Sequence, residues 1–234
     1  MKYTGLWVGG LCLLCACSSP QKAPIDYVDP FIGTGFHGHT YPGATAPFGA
    51  VQLSPDTRRG NWDASSGYHY SDSTILGFSH THLSGTGCQD LGDVLLRPTT
   101  QPVRTGGEGD IFLPAAFSHD SEKASPGYYA VTLADEQIKV ELAATTFAGM
   151  HRYSYLNDKD ASVIVDLTHI LNTDDFIYEA EVKQTADNEL VGMRRTRSWV
   201  DNQYIYFVLQ FSKPIQELQQ INEKQAVSYT HLTL

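Results

Sequence analysis

Apolar and polar residues alternate along most of the chain after Tyr128. Ile138, Val140 and Leu142 are interleaved with Lys139 and Glu141, and Ile205, Phe207, Leu209 and Phe211 repeat the same period of two. That period places aliphatic groups on one face of an extended segment, whereas a helix would need apolar positions three or four apart. Runs with strand character cover Pro47–Leu53, Val94–Pro98, Tyr128–Leu133, Gln137–Thr145, Gly149–Leu156, Ser162–Leu167, Ile177–Gln184, Leu190–Arg197 and Gln203–Phe211. Turn chemistry separates them at Pro126-Gly127, Asn157-Asp158, Asn172 to Asp175, Asp187-Asn188 and Asp201-Asn202. Many medium strands joined by turns predict an all-β fold, a two-sheet antiparallel β-sandwich over residues 25–226 with long loops at its front. Ser212-Lys213-Pro214 ends the last of these strands, and the polar Gln216 to Gln225 reads as a short helix or loop. Residues 227–234 stop without a turn or cap and read as a tail that need not be native, which marks the chain as a fragment.

One stretch departs from this pattern. Residues 61 to 93 crowd Trp62, Asp63, Tyr68, His69, Tyr70, His80, His82, Asp90 and Asp93 among glycines, an inventory a core does not need. It suits a sugar site, where an aromatic ring covers the apolar C–H face of a pyranose and Asp or His meets its hydroxyls.

Composition narrows the partners. The chain has 234 residues, 41% of them hydrophobic, with 16 basic against 26 acidic groups and a net charge of -10. Without basic clusters beyond Arg194, Arg195 and Arg197, a nucleic-acid partner is excluded, because such affinity rests on cations displacing counterions. Those arginines read as a solvated strand edge that discourages pairing.

The N-terminus reads as an address. Lys2 precedes the apolar run Leu6 to Leu14, too short to span a bilayer, and Leu14-Cys15-Ala16-Cys17 resembles a bacterial lipobox. Residues 1–16 are then a lipoprotein signal peptide, Cys17 the lipidation site and residues 17–24 a polar tether. The expected product is an exported bacterial lipoprotein held at a membrane by its lipid and facing the periplasm or the cell exterior. Cys88 is the single thiol left in the mature chain, so an internal disulfide is excluded, and it reads as a small structural group.

His80 and His82 stand two apart, so on a strand both would share a face, as metal ligands can; zinc would suit them better than calcium. Pinning the long loop is the blander role. Asp90 and Asp93 could be offered as an acid and base pair, but three-residue spacing ahead of Val94-Leu95-Leu96 suits a turn.

Several longer strings carry a resemblance. They are Tyr27 to Gly35 (YVDPFIGTG), His37 to Ala44 (HGHTYPGA), Pro47-Phe48-Gly49, Gln52 to Thr57 (QLSPDT), Ser66 to Tyr70 (SGYHY) and Gly77 to Gly87 (GFSHTHLSGTG). With Asp90 to Asp93, Pro126 to Tyr129 and His151-Arg152-Tyr153, they resemble the N-terminal domain of glycoside hydrolase family 92 from about Ile25 to Pro214. The resemblance implies a calcium-dependent, exo-acting α-mannosidase that inverts the anomeric centre, with a C-terminal (α/α)6 domain carrying the carboxylates and most calcium contacts. An inverting pair needs carboxyls roughly 6.5–9.5 Å apart to admit a water. No catalytic residue is therefore assigned to this chain, which is expected to be inactive alone and to supply one wall of the sugar cleft. Trp62 is expected to stack on a mannose-containing glycan, Asp63 to accept from its hydroxyls, and His37 and His39 to contact the ligand or the C-terminal helical domain. Ala64 and Ser65 stand where the family pattern Trp-Asp-Trp-Cys-Ser-Gly has Trp and Cys, so linkage preference is not carried over. The competing readings are a non-catalytic carbohydrate-binding or interaction module and a zinc hydrolase built on His80 and His82.

Overall fold

The computed structural model describes residues 22–101, 114–156, 161–223 and 227–233, so the expected signal peptide over residues 1–16 and the expected lipidation site Cys17 lie outside the described residues. In chain order the strands are β1 (Ala44–Thr45), β2 (Gln52–Asp56), β3 (Thr74–Ile75), β4 (Gly77–Ser79), β5 (Leu95–Thr99), β6 (Ala115–Ala116), β7 (Lys123–Ser125) and β8 (Tyr128–Leu133). They continue as β9 (Ile138–Ala144), β10 (Gly149–Tyr155), β11 (Ser162–Asp166), β12 (Phe176–Ala186), β13 (Glu189–Arg197), β14 (Gln203–Gln210), β15 (Glu217–Glu223) and β16 (Val227–Thr233).

The expected sandwich is present, and its layers are unequal. One layer is a seven-stranded sheet in the order β1-β2-β4-β5-β11-β16-β15. The facing layer is split into a four-stranded sheet, β10-β9-β8-β7, and a three-stranded sheet, β12-β13-β14. β3 and β6 form a small pair at the side. All the named pairings are antiparallel.

Register decides which residues meet. Pro55 pairs with Phe78, Phe78 with Leu96, and Leu96 with Val165, so these residues and Leu53 share the inner face of the large sheet. Against the first half of that face pack Tyr129, Val131 and Leu133 of β8 and Ile138, Val140 and Leu142 of β9, the aliphatic alternation read from the sequence. Against the second half pack Ala180, Leu190, Ile205, Phe207 and Leu209 of the three-stranded sheet. Burying this apolar area drives the sandwich together.

The outer face of the same sheet carries Ser54, Asp56, Ser79, Arg97, Thr99, Ser162 and Asp166, all buried beneath the front loops. Arg97 donates to Ile75 O and to Glu136 Oε1, 2.9 Å away, while Glu136 also accepts from Thr99 Oγ1 and Thr100 N. Burial alone would raise the Glu136 carboxyl, but these donors and the guanidinium hold it below its ordinary value.

Four expectations change. The apolar side chain of Phe48 drew the expected strand to Pro47–Leu53, yet Phe48 is fully exposed at φ 58 in a turn and the strand starts at Gln52. The described part of the Gln216 to Gln225 segment is not helical, since β15 covers Glu217–Glu223 and pairs with β16. Residues 227–233 form a strand between β11 and β15 rather than a loose tail. Finally, the arginines do not form a solvated edge. β13 is the middle strand of its sheet, and Arg194 is only 1% exposed, lying 3.4 Å from Asp93 Oδ1 and donating to His169 O at 2.6 Å.

Candidate functional site

Three front loops build the site: residues 31–43, 57–73 and 80–93. In the second, Trp62–Ala64 makes one 3-10 turn whose start is capped by Asn61, its side-chain oxygen accepting from Asp63 N at 2.9 Å. Such a cap fixes a short turn that has little propensity of its own. In the first loop Gly33 has φ +82 and Gly38 lies so near Gly33 that a Cβ would come within 2.1 Å of its carbonyl oxygen, so the chain folds back on itself. Phe36 and His39 both sit at φ 55, unusual for residues with side chains, and complete that fold.

The four residues expected to bind ligand come together. The His37 and His39 rings lie 5.4 Å and 4.3 Å from the Trp62 indole, the second edge-on at 81°. His37 Nδ1 is 2.5 Å from Asp63 Oδ1. Trp62 remains 55% exposed, and its far side is backed by Gly87, where a Cβ would stand 2.7 Å from the indole Nε1. His39 is 8% exposed, and its Nε2 has no hydrogen-bond partner. Phe36 stacks on His37 with ring centroids 4.0 Å apart, and its carbonyl accepts from His69 Nε2 at 3.1 Å.

Beneath this surface lies a second group that the sequence reading did not assign to the site. Asp56, at the end of β2, is fully buried with its Oδ1 2.7 Å from His82 Nε2. His169 Nε2 lies 2.8 Å from Asp56 Oδ2, close but not aligned as a hydrogen bond. Burial would raise the Asp56 carboxyl, yet the two imidazoles outweigh it and hold the group far below the usual carboxylate range. His82 Nδ1 donates to Gln52 O at 2.7 Å.

His80 and His82 therefore do not share a ligand. His80 turns the other way, donating from Nδ1 to Val94 O at 2.6 Å and placing Nε2 3.0 Å from His151 Nε2 across the two layers. The Tyr153 hydroxyl then donates to His151 Nδ1 at 2.7 Å. Burial lowers His80 to about 4, only partly offset by Val94, and holds His151 well below its ordinary value.

The two aspartates behave differently from an acid and base pair. Asp90 caps its own turn, accepting from Leu91 N, while Asp93 accepts from Thr81 Oγ1 and Gln203 Nε2 beside Arg194. Elsewhere the Glu122 carboxylate is ringed by the Tyr129 hydroxyl at 2.5 Å, the Tyr68 hydroxyl at 3.0 Å and His119 Nδ1 at 2.5 Å, tying the Trp62 loop to β8. Burial and that carboxylate push both tyrosines up. Cys88 is a half-buried free thiol whose value burial raises, as a structural thiol's would be.

Asp56 Oδ1 and Asp93 Oδ2 are thus hydrogen-bonded to protein groups, while Asp56 Oδ2 and Asp93 Oδ1 face His169 and Arg194. Among the described residues no three His, Cys, Asp or Glu side chains are grouped to hold a metal. No helix among the described residues is long and apolar enough to cross a membrane.

Comparison with known proteins places this geometry. Residues 27–232 match the model of the glycosyl hydrolase family 92 N-terminal domain. A solved family GH92 α-mannosidase of Bacteroides thetaiotaomicron, in complex with mannoimidazole, is 35% identical with a TM-score of 0.79, over 89% of this chain and 30% of that one. An inverting family GH92 mannosidase of Bacteroides thetaiotaomicron VPI-5482 shares the fold at 23% identity and a TM-score of 0.70, covering 91% of this chain and 30% of its own. An uncharacterized secreted glycosidase of Arthroderma benhamiae is 29% identical over 189 residues, 73% of this chain and 23% of that protein. The chain therefore spans less than a third of the length of these relatives.

Proposed function

Because the chain belongs to glycosyl hydrolase family 92 and matches its N-terminal domain over residues 27–232, we propose that it forms one wall of the mannose-binding cleft of an exported α-mannosidase. The carrying observation is the orphaned His39 Nε2, buried beside a half-exposed indole with the His37–Asp63 pair at its edge. A buried ring nitrogen without a partner is costly, and a ligand hydroxyl would satisfy it. In this reading the Trp62 indole covers the C–H face of the pyranose. Asp63 accepts from its hydroxyls, and His37 both orients Asp63 and offers the ligand a second polar contact. The mannoimidazole complex of the Bacteroides relative supports a mannose ligand.

The remainder of the reading concerns the parent enzyme. It hydrolyses terminal α-mannosides with inversion. The acid, the base and the calcium ion are supplied by the C-terminal helical domain, and this chain alone turns nothing over. Calcium there would coordinate hydroxyl oxygens of the sugar and help orient it; the residues of this chain contribute stacking and hydrogen bonds. Export follows from the N-terminal signal, with Cys17 acylated and the protein tethered to the membrane, in keeping with the secreted glycosidase among its relatives.

Titration of the chain with methyl α-mannoside tests the cleft directly, followed by intrinsic fluorescence. Removing the stacking surface with Trp62→Ala is expected to weaken binding about ten-fold. Binding unchanged by this substitution would refute the assignment.

A further inference from the structure

We propose that Asp56 is a positioning residue for the Trp62 wall, holding three loops in register through His82 and His169 without touching the sugar. The inference rests on the cleft reading above and adds to it the group that sets the cleft's shape.

The geometry points there because each partner of Asp56 belongs to a loop that also grips the Trp62 unit. Directly after Asp56 the chain enters that unit, and Thr57 N donates to Gly67 O at 2.7 Å to close its base. Gly67, at φ +87, lies over the carboxylate so closely that a Cβ would stand 2.1 Å from Asp56 Oδ1. The glycine lets this loop sit on the charge, and any side chain would lift it off.

His82 brings the second loop. Three residues beyond it Gly85 N donates to His39 O at 2.7 Å, and Gly87 is the backing of the indole. In the same loop Thr86 O accepts from Ser65 Oγ at 3.0 Å, just past the 3-10 turn. His169 brings the third loop, where Leu171 O accepts from Gly60 N at 2.8 Å, two residues ahead of Trp62. One carboxylate therefore gathers the base, the back and the flank of the indole.

An apolar residue of similar size would be the cheaper filler for a fully buried position on a sheet. Burial of a carboxylate with two imidazoles is costly unless the geometry is held, and a hydrogen bond to a charged group, such as that between His82 and Asp56, is directional where apolar contacts are not. That direction is what a stacking platform needs, since a small displacement of a positioned group costs much of its effect. Three further hydrogen bonds fix the partners themselves: His82 Nδ1 to Gln52 O, Ser79 Oγ with His82 Nε2, and His169 N to Asp166 Oδ1.

The test uses Asp56→Asn, which keeps the shape and removes the charge, in the 234-residue chain. The indole 15N–1H signals of Trp62 and Trp199 are assigned by single Trp→Phe substitutions. The expected result is that the Trp62 signal moves while that of Trp199, on the β13–β14 turn, stays in place. Methyl α-mannoside is expected to bind more weakly to Asp56→Asn, by up to the roughly ten-fold loss of Trp62→Ala. In the double variant Asp56→Asn with Trp62→Ala, binding should be no weaker than in Trp62→Ala alone, because the carboxylate acts through the indole. A Trp62 signal that stays put, movement of both indoles together, or additive losses in the double variant would overturn the proposal. Should Asp56→Asn not fold, His169→Gln, which leaves the Asp56–His82 pair intact, carries the same measurement. It is expected to shift the Trp62 indole less and to weaken binding about three-fold; an unmoved indole there also overturns the proposal. If the wild-type chain binds no mannoside, the cleft reading falls, and the indole signals alone still decide whether Asp56 positions the wall.

Discussion

On its inner side the seven-stranded sheet seals Leu53, Phe78, Leu96, Val163 and Val165 with aliphatic and aromatic neighbours. On its outer side Asp56, Ser79 and Arg97 are sealed as completely, but by hydrogen bonds and ion pairs from loops. The first kind of contact is non-directional and forgiving of rearrangement, while the second is worth little unless every group finds its partner at the right angle. The inner side therefore holds the sandwich together, and the outer side holds the front loops in one arrangement. A domain that must present a rigid wall to a sugar needs both.

The sharpest way to break the comparison is to damage each side separately. Phe78→Ala leaves a cavity at the centre of the inner face and is expected to cost about 4 kcal/mol in denaturant unfolding, with the folded fraction keeping its mannoside affinity. Next in size, Glu136→Gln strands the buried Arg97 guanidinium and is expected to cost about 3 kcal/mol. Replacing both partners with Arg97→Met and Glu136→Leu should recover most of that loss, which would show that the outer pair supplies arrangement more than stability.

A smaller effect follows from pH. His80 ionises at about 4 in the fold against 6.5 unperturbed, and His151 is displaced in the same direction. The unfolded chain binds more protons between those values, so stability is full above pH 6.5 and drains as the pH falls toward 4. The loss is roughly 1–3 kcal/mol, and thermal midpoints across that range would measure it. His80→Gln is expected to flatten the dependence. Smallest of all, Arg195→Ala removes a guanidinium lying 4.7 Å and 5.4 Å from the exposed Tyr178 and Tyr204 rings, and less than about 1 kcal/mol should be lost. A larger loss there would place stability outside the two faces.

How far the sequence disclosed this division depends on the kind of contact. Alternation made β9 and β14 legible because their inner residues are apolar and most of their outer residues, Glu141 aside, are polar or exposed. β4 escaped notice because Gly77, Phe78 and Ser79 are all buried and show no alternation. β2 was displaced by Phe48, whose exposure in a turn contradicts its chemistry, and it ends on Asp56, whose burial nothing local announces. Arg194 looked like surface for the same reason: a charged residue gives no sign that Asp93, 101 residues earlier in sequence, and His169 O, 25 residues earlier, await it. In the site, residue type marked Trp62 and Asp63 within the dense window, while His37 and His39 were added through the family resemblance. His169 could not be read in this way, because it is a lone imidazole outside the dense window, and only the fold brings it to Asp56.

β14 has a further consequence. It has one hydrogen-bonded neighbour among the described residues, β13, and turns Tyr204, Tyr206 and Val208 outward. Eight residues of backbone with an apolar, nearly uncharged outer row form a template on which another extended segment can assemble. In concentrated solution, copies of the isolated chain should meet along this border first, and a lysine at position 206 or 208 is the remedy that purification would favour.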